Sequence, residues 1–135
     1  MLANHLQWWA DVQHYQTKTY YLENVFEGNV PQIQNIDVDI EGYTFNSQLS
    51  RNLSRSQQWS LQLFAEYYDR DLGGVLRERQ GQLDISGQYR FLAGIHNITL
   101  GSNYRGYTDH YTGTETGYLQ PDSEYNFLIA GFVQD

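Results

Sequence analysis

Through most of its length this sequence alternates apolar and polar residues with a period of two. In QQWSLQLFAEYYDRD, Trp59, Leu61, Leu63, Ala65 and Tyr67 share one parity. Ser60, Gln62, Glu66 and Tyr68 share the other, with Phe64 the exception. Successive side chains of a β-strand point to opposite faces, so the pattern predicts a strand with one apolar and one polar face. The pattern recurs at Leu83, Ile85, Tyr89 and Phe91, at Ile98, Leu100 and Tyr104, and at Tyr43, Phe45 and Leu49. It also recurs at Tyr125, Phe127, Ile129 and Val133. Near the start, Leu6, Trp8, Ala10 and Val12 alternate, although Leu2, Leu6, Trp9 and Ala10 also lie near helical spacing. The β-prone run QHYQTKTYY that follows, with no helix cap, favours a strand there. The expectation is an all-β chain, an antiparallel up-and-down meander of about six strands near 6–20, 40–52, 57–70, 78–91, 95–110 and 123–135. These strands, on the order of 12–15 residues, exceed the roughly 5–6 usual in soluble domains.

Composition narrows the class. The chain has 135 residues, enough for one domain at most. Aromatic residues make up 16% of a chain whose mean hydropathy is only −0.63, so few apolar residues remain for a conventional core. The absence of Cys excludes disulfides, a cysteine zinc cluster and a thiol nucleophile. A net charge of −8 argues against a nucleic-acid partner, which needs a basic footprint. No apolar run approaches the roughly 20 residues of a membrane helix. The opening MLANHLQWWADV has no cationic stretch leading into an apolar one, so no signal peptide is expected.

The connections are expected to alternate in length. Short turns fall near Leu53–Ser56 and Leu92–Gly94, and longer ones at Leu22–Asp39, Asp71–Arg77 and Tyr111–Asp122. Outer-membrane barrels alternate short periplasmic turns with longer outer loops, and carry aromatic residues where the lipid headgroups begin. Trp59, Tyr67, Tyr89, Phe91, Tyr104 and Tyr125 lie close to strand ends on the apolar parity, opposite a wet face with Asp11, Gln62, Glu66, Asp84, Arg90 and Arg105. The reading that follows is part of a transmembrane β-barrel.

The residues then begin to resemble a known family. Glu124–Asp135, EYNFLIAGFVQD, resembles a barrel segment of TonB-dependent outer-membrane receptors. LQLFAEYYDR at 61–70, Arg77-Glu78-Arg79 with LDISGQYRF at 83–91, and NITLGSNYRGY at 97–107 are similar too. Together these runs cover most of residues 40–135. The resemblance implies a receptor in the bacterial outer membrane. It would bind and import a scarce nutrient such as a ferric siderophore, with TonB supplying the energy. The expected partners are outer-membrane lipid, a small-molecule ligand such as a metal–siderophore complex, and TonB, the last through segments not present in this sequence. The family's barrel has about 22 strands around a plug, so residues 1–135 would be an internal fragment of a barrel domain, without plug.

In such a receptor the outer loops meet the ligand. Arg70, Arg77 and Arg79 near one loop, and Arg105, Tyr107, His110 and Tyr111 at another, are the candidates, because guanidinium pairs with anions and stacks on rings. No catalytic residues, cofactor or metal site are expected. Glu66 and Asp84 read as solvated wall rather than an acid–base pair. The four His have no metal-ligand spacing. Asp37-Val-Asp39-Ile-Glu41-Gly42 opens like a calcium loop, but its twelfth position is Gln48 instead of Glu, and Val38 and Ile40 alternate as a strand start. Two other classes stay open: a small outer-membrane barrel enzyme or adhesin, and a soluble sugar-binding β-sandwich with exposed Trp and Tyr.

Overall fold

The structure is a computed structural model that describes residues 6–27, 30–73, 76–113 and 123–135, with the backbone alone at 21, 23–27, 30, 31 and 34. Six strands, β1 (Leu6–Glu27), β2 (Val30–Ser54), β3 (Gln57–Leu72), β4 (Leu76–Ala93), β5 (His96–Gly113) and β6 (Ser123–Gln134), form one antiparallel sheet in the order β1-β2-β3-β4-β5-β6. The meander is as the alternation predicts, and β1 is a strand from Leu6 onward, which removes the helical alternative for its described part. The sheet is open, with β1 and β6 as edges.

The strands run further than expected. The polar stretch Leu22–Asp39, read as a long connection, is almost entirely strand: Leu22 faces Asn35 and Glu27 faces Val30. The cause is local. Ile36, Val38 and Ile40 alternate with Asp37 and Asp39, a β-branched rhythm that suits a strand despite its charge. Asp71–Arg77 shrinks likewise, because β3 continues to Leu72 and β4 starts at Leu76. The third expected loop begins later, since β5 runs to Gly113, and 114–122 lies outside the described residues. The tight turns lie at the opposite end, at Arg55–Ser56 and Gly94–Ile95. Gly94 has φ +67° and no described non-glycine residue, Ile95 included, has a positive φ, so Gly94 supplies the first position of a type II′ turn. Beyond β3, β1 and β2 pair with each other alone and extend the sheet as a two-stranded ribbon.

The register sorts the side chains onto two faces. Phe45–Ala65–Leu83–Gly106–Phe127 run side by side across five strands, and Ser47–Leu63–Ile85–Tyr104–Ile129 form the next row. The other face carries Gln48–Gln62–Ser86–Asn103 and Thr44–Glu66–Gln82–Tyr107. Among the described residues nothing packs over the apolar face. Ile129 is 69% and Val133 75% exposed. Among the described residues only Ile36 and Val38 are buried hydrophobics, on the polar face where the ribbon passes the β3–β4 connection. There Gly73, at φ +58°, lets the turn approach Ile36.

Two glycines are gaps for aromatic rings. Tyr15 faces Gly42 across β1 and β2, and its ring lies over that glycine to reach Glu66 on β3 at 3.4 Å. Phe132 covers Gly101 in the same manner. A methyl group at position 42 would occupy the space of the Tyr15 ring. Gly42→Ala is therefore expected to swing Tyr15 away and to cost about 1 kcal/mol of packing and hydrogen bonding. The same change at Gly87, where the nearest atom is 3.9 Å away on Leu61, is expected to be neutral or stabilising. Denaturant midpoints check this, and the Gly42→Ala cost should vanish in a Tyr15→Ala background.

Candidate functional site

The seven residues expected to meet a ligand do not share a face. Arg70, Arg105, Tyr107 and Tyr111 lie on the polar face, and Arg77, Arg79 and His110 on the other. All are strand positions: Arg70, Arg79, Arg105, Tyr107 and His110 fall within the expected strands, and Arg77 and Tyr111 join them because β4 starts earlier and β5 ends later than expected. The register still joins the two groups. Arg70 faces Glu78, which faces Tyr111, and Arg79 faces His110.

On the polar face these side chains belong to a ladder of tyrosines, carboxylates and amides. Tyr68 Oη donates to Glu78 at 3.0 Å, and Arg70 approaches the same carboxylate at 3.7 Å, leaving its buried Nε without a partner among the described residues. Gln80 Nε2 donates to Asp109 at 2.6 Å. Lower on the sheet, Asp84 accepts from Arg105 Nε at 2.7 Å and from Gln82 at 2.6 Å. Glu66 takes the Tyr15 hydroxyl instead, so Glu66 and Asp84 serve different partners and form no acid–base pair. Tyr15, Tyr68 and Glu78 are members of this ladder that the sequence reading missed. Parity alone would group them on one face, but only the register brings them together.

On the opposite face, past the last apolar row, lies a paired band of charge. One row reads Glu41–Asp69–Arg79–His110 and the next Lys18–Asp39–Asp71–Arg77. Carboxylates directly opposite one another repel. Cations on either side relieve this: Lys18 holds Asp39 at 3.1 Å, and Asp69 binds both Nε and Nη2 of Arg77, at 2.8 and 2.6 Å, and Arg79 at 3.2 Å. The fork from Arg77 keeps the Asp69 carboxyl below its usual range, against some opposing burial, with Arg79 assisting. Glu41 is likewise lowered, first by the Tyr43 hydroxyl and then by His14, whose ring stacks on Tyr43 at 4.7 Å. Asp37, Asp39 and Glu41, the calcium-like run, thus lie inside β2, and among the described residues no group of three His, Cys, Asp or Glu is placed to hold a metal ion.

The chemistry follows from these pairings. Each of Arg70, Arg77, Arg79 and Arg105 already has a carboxylate. An anion arriving at this end competes with an internal partner, so the ladder suits hydroxyl- and amide-bearing groups better than a bare anion. The Asp69 pairs yield a pH test. A depressed carboxyl contributes stability that is present above the unfolded value, 3.8, and is lost as the pH falls through the folded value. Asp69→Asn is expected to destabilise at pH 7 by at most about 1 kcal/mol, since the arginines are partly exposed and screened. Denaturant midpoints from pH 7 to 2 should show the two proteins converging only on the acid side.

Comparison of this chain with protein-family models, with curated proteins and with solved structures finds no match.

Proposed function

We propose that this sheet is part of the wall of an outer-membrane β-barrel, and that the barrel is a nutrient-importing receptor of the TonB-dependent kind. The observation that carries the membrane reading is the uncovered apolar face and its edges. On β3 the run Leu61, Leu63 and Ala65 is bounded by Trp59 on one side and Tyr67 on the other. Trp59 and Tyr89 face each other near the tight turns, with Phe91 stacked on Tyr89 at 5.6 Å. Tyr43 and Tyr67 face each other toward the other end, in the row that reaches Tyr125 on β6, whose hydroxyl meets that of Tyr104 from the middle of the band. Charge begins in the next row, at Glu41 and Asp69. From Trp59 to Tyr67, β3 advances about 27 Å at roughly 3.4 Å per residue, and a tilt of about 40° brings this near 20 Å along the normal, close to the roughly 25 Å band of outer-membrane barrels.

A water-soluble sheet needs a second layer over such a face. Lipid supplies that cover here, and the polar face lines a wet interior. The two open edges pair with further strands, because lipid tolerates no unpaired backbone. The receptor assignment rests on the runs at 61–70, 77–91, 97–107 and 124–135 together with the ladder of polar groups. Under this reading Arg70, Arg105, Tyr107 and Tyr111 face the interior and the incoming ligand, such as a metal–siderophore complex. Arg77, Arg79 and His110 face outward above the lipid. Binding and transport, rather than catalysis, is the proposed role, with TonB engaged by other parts of the receptor.

Leu63 lies midway between Trp59 and Tyr67. Leu63→Arg is expected to cost roughly 2–4 kcal/mol for folding into phosphatidylcholine vesicles, and Gln62→Arg on the wet face much less. A chain that purifies as a monodisperse monomer without detergent would overturn the membrane reading. Competition between labelled ferric siderophores on cells carrying the full-length gene tests the receptor assignment, and no saturable uptake of any of them would overturn it.

A further inference from the structure

The polar face has a second polar centre, at the end of the tight turns, that differs in charge from the first. Arg90 projects from β4 on this face, opposite Gln58 of β3 and Thr99 of β5. Among the described residues it makes no ion pair, unlike Arg70 and Arg105 on the same face. Two adjoining cavities meet at Arg90 and Gln58. One, of about 230 Å³, is walled by Asn52, the Arg55–Ser56 turn and Asn97. The other, of about 260 Å³, is walled by Gln48, Ser60, Gln88 and Thr99. Neither cavity is lined by an aspartate or glutamate, in a chain with a net charge of −8.

We infer that this trough binds a small hydroxylated oxyanion, a sugar acid or a sugar phosphate. The guanidinium takes the anionic group, because its fork matches paired oxygens and it has no internal carboxylate to displace. The surrounding amides and hydroxyls both donate and accept, which is what a polyol needs along its length. The trough is open to solvent along one side, and its two cavities together offer room for about one sugar ring. The inference rests on this stretch of the polar face being open to water, and not on the apolar face meeting lipid.

The probes are D-glucuronate and glucose 6-phosphate, with D-glucose as the neutral control, titrated into the full chain. Tryptophan fluorescence is the readout, because the indole N–H of Trp9 donates at 2.9 Å to Gln48, which lines the second cavity. Saturable binding of at least one anion is expected, and the stronger of the two identifies the carboxylate or the phosphate as the group recognised. Arg90→Gln should weaken it roughly tenfold or more, as loss of a charge-assisted contact does. Gln58→Glu provides a second route. It sets a carboxylate directly opposite Arg90, leaves the guanidinium in place, and should weaken the anion to a similar degree. Glucose binding as well as both anions, affinity unchanged in both variants, or no saturable response to either anion would overturn the proposal. The vesicle-folding experiment on Leu63 reports separately on the membrane reading, so the two can fail independently.

Discussion

Everything in this molecule depends on the unbroken antiparallel register that links six strands side by side. Each strand has two faces, and a shift of one residue in any pairing would transfer its whole apolar set to the wet side. The register therefore couples decisions made far apart in the chain. Phe45, Ala65, Leu83 and Phe127 share a row only because each successive hairpin closes at the correct residue. The tight turns have local chemistry that does this. Gly94 adopts the positive φ of a type II′ turn, and Ser54 Oγ accepts from the Ser56 N–H at 3.1 Å beside the register shift at Asn52/Ser54. Side-chain links between strands, such as the Trp8 indole donating to Ser47 at 3.0 Å, then reinforce a pairing already fixed by the backbone.

With the faces separated, electrostatics distinguishes the ends of the sheet. On the apolar side, Glu41, Asp69, Asp71, Arg77 and Arg79 lie beyond the Tyr43–Tyr67 row, while the rows from there to Trp59 hold no charged group until Arg51, opposite that tryptophan. On the polar side, carboxylates and guanidiniums neutralise each other toward the β3–β4 connection, and Arg90 stands without a carboxylate among the described residues toward the tight turns. A guanidinium already paired offers little to a new anion, whereas an unpaired one does. The two ends of one face therefore differ in chemistry while sharing the same residue types.

Much of the fold was legible in the sequence because a period of two carries both the element and its faces. The parity sets containing Trp59–Tyr67 and Leu83–Phe91 name the apolar face correctly, and the order of strands follows from short connections. The ribbon was not legible. Asp37, Asp39 and Glu41 made 22–39 look like a polar loop, although Ile36, Val38 and Ile40 kept the rhythm of a strand. Charge masked it because Asp37 and Asp39 take the exposed face of the ribbon, and its buried contact among the described residues is confined to Ile36 and Val38 on the other face. The candidate site was only half legible for a related reason. Arg77 and Arg79 stand next to Glu78 in sequence, yet they point away from it, and pairing with Asp69 depends on a register that composition does not specify. The separation of Arg90 from every carboxylate is a register property in the same sense.

Strand length, which first suggested a membrane, now has a different meaning. The apolar band on β3 ends at Tyr67, but the strand continues to Leu72, and β1 and β2 continue further still. These extensions are held by ion pairs, by Tyr–carboxylate bonds and by a small cluster around Val38, which is 2% exposed. Length therefore does not separate a barrel wall from a long soluble sheet. Under the proposed membrane reading the boundary falls at the step from Tyr67 to Asp69, where, in one step along the same face, β3 passes from a ring to a carboxylate clamped by two guanidiniums. On neighbouring β2 the same step runs from Tyr43 to Glu41, so the two strands change character at one level, as a lipid boundary would require.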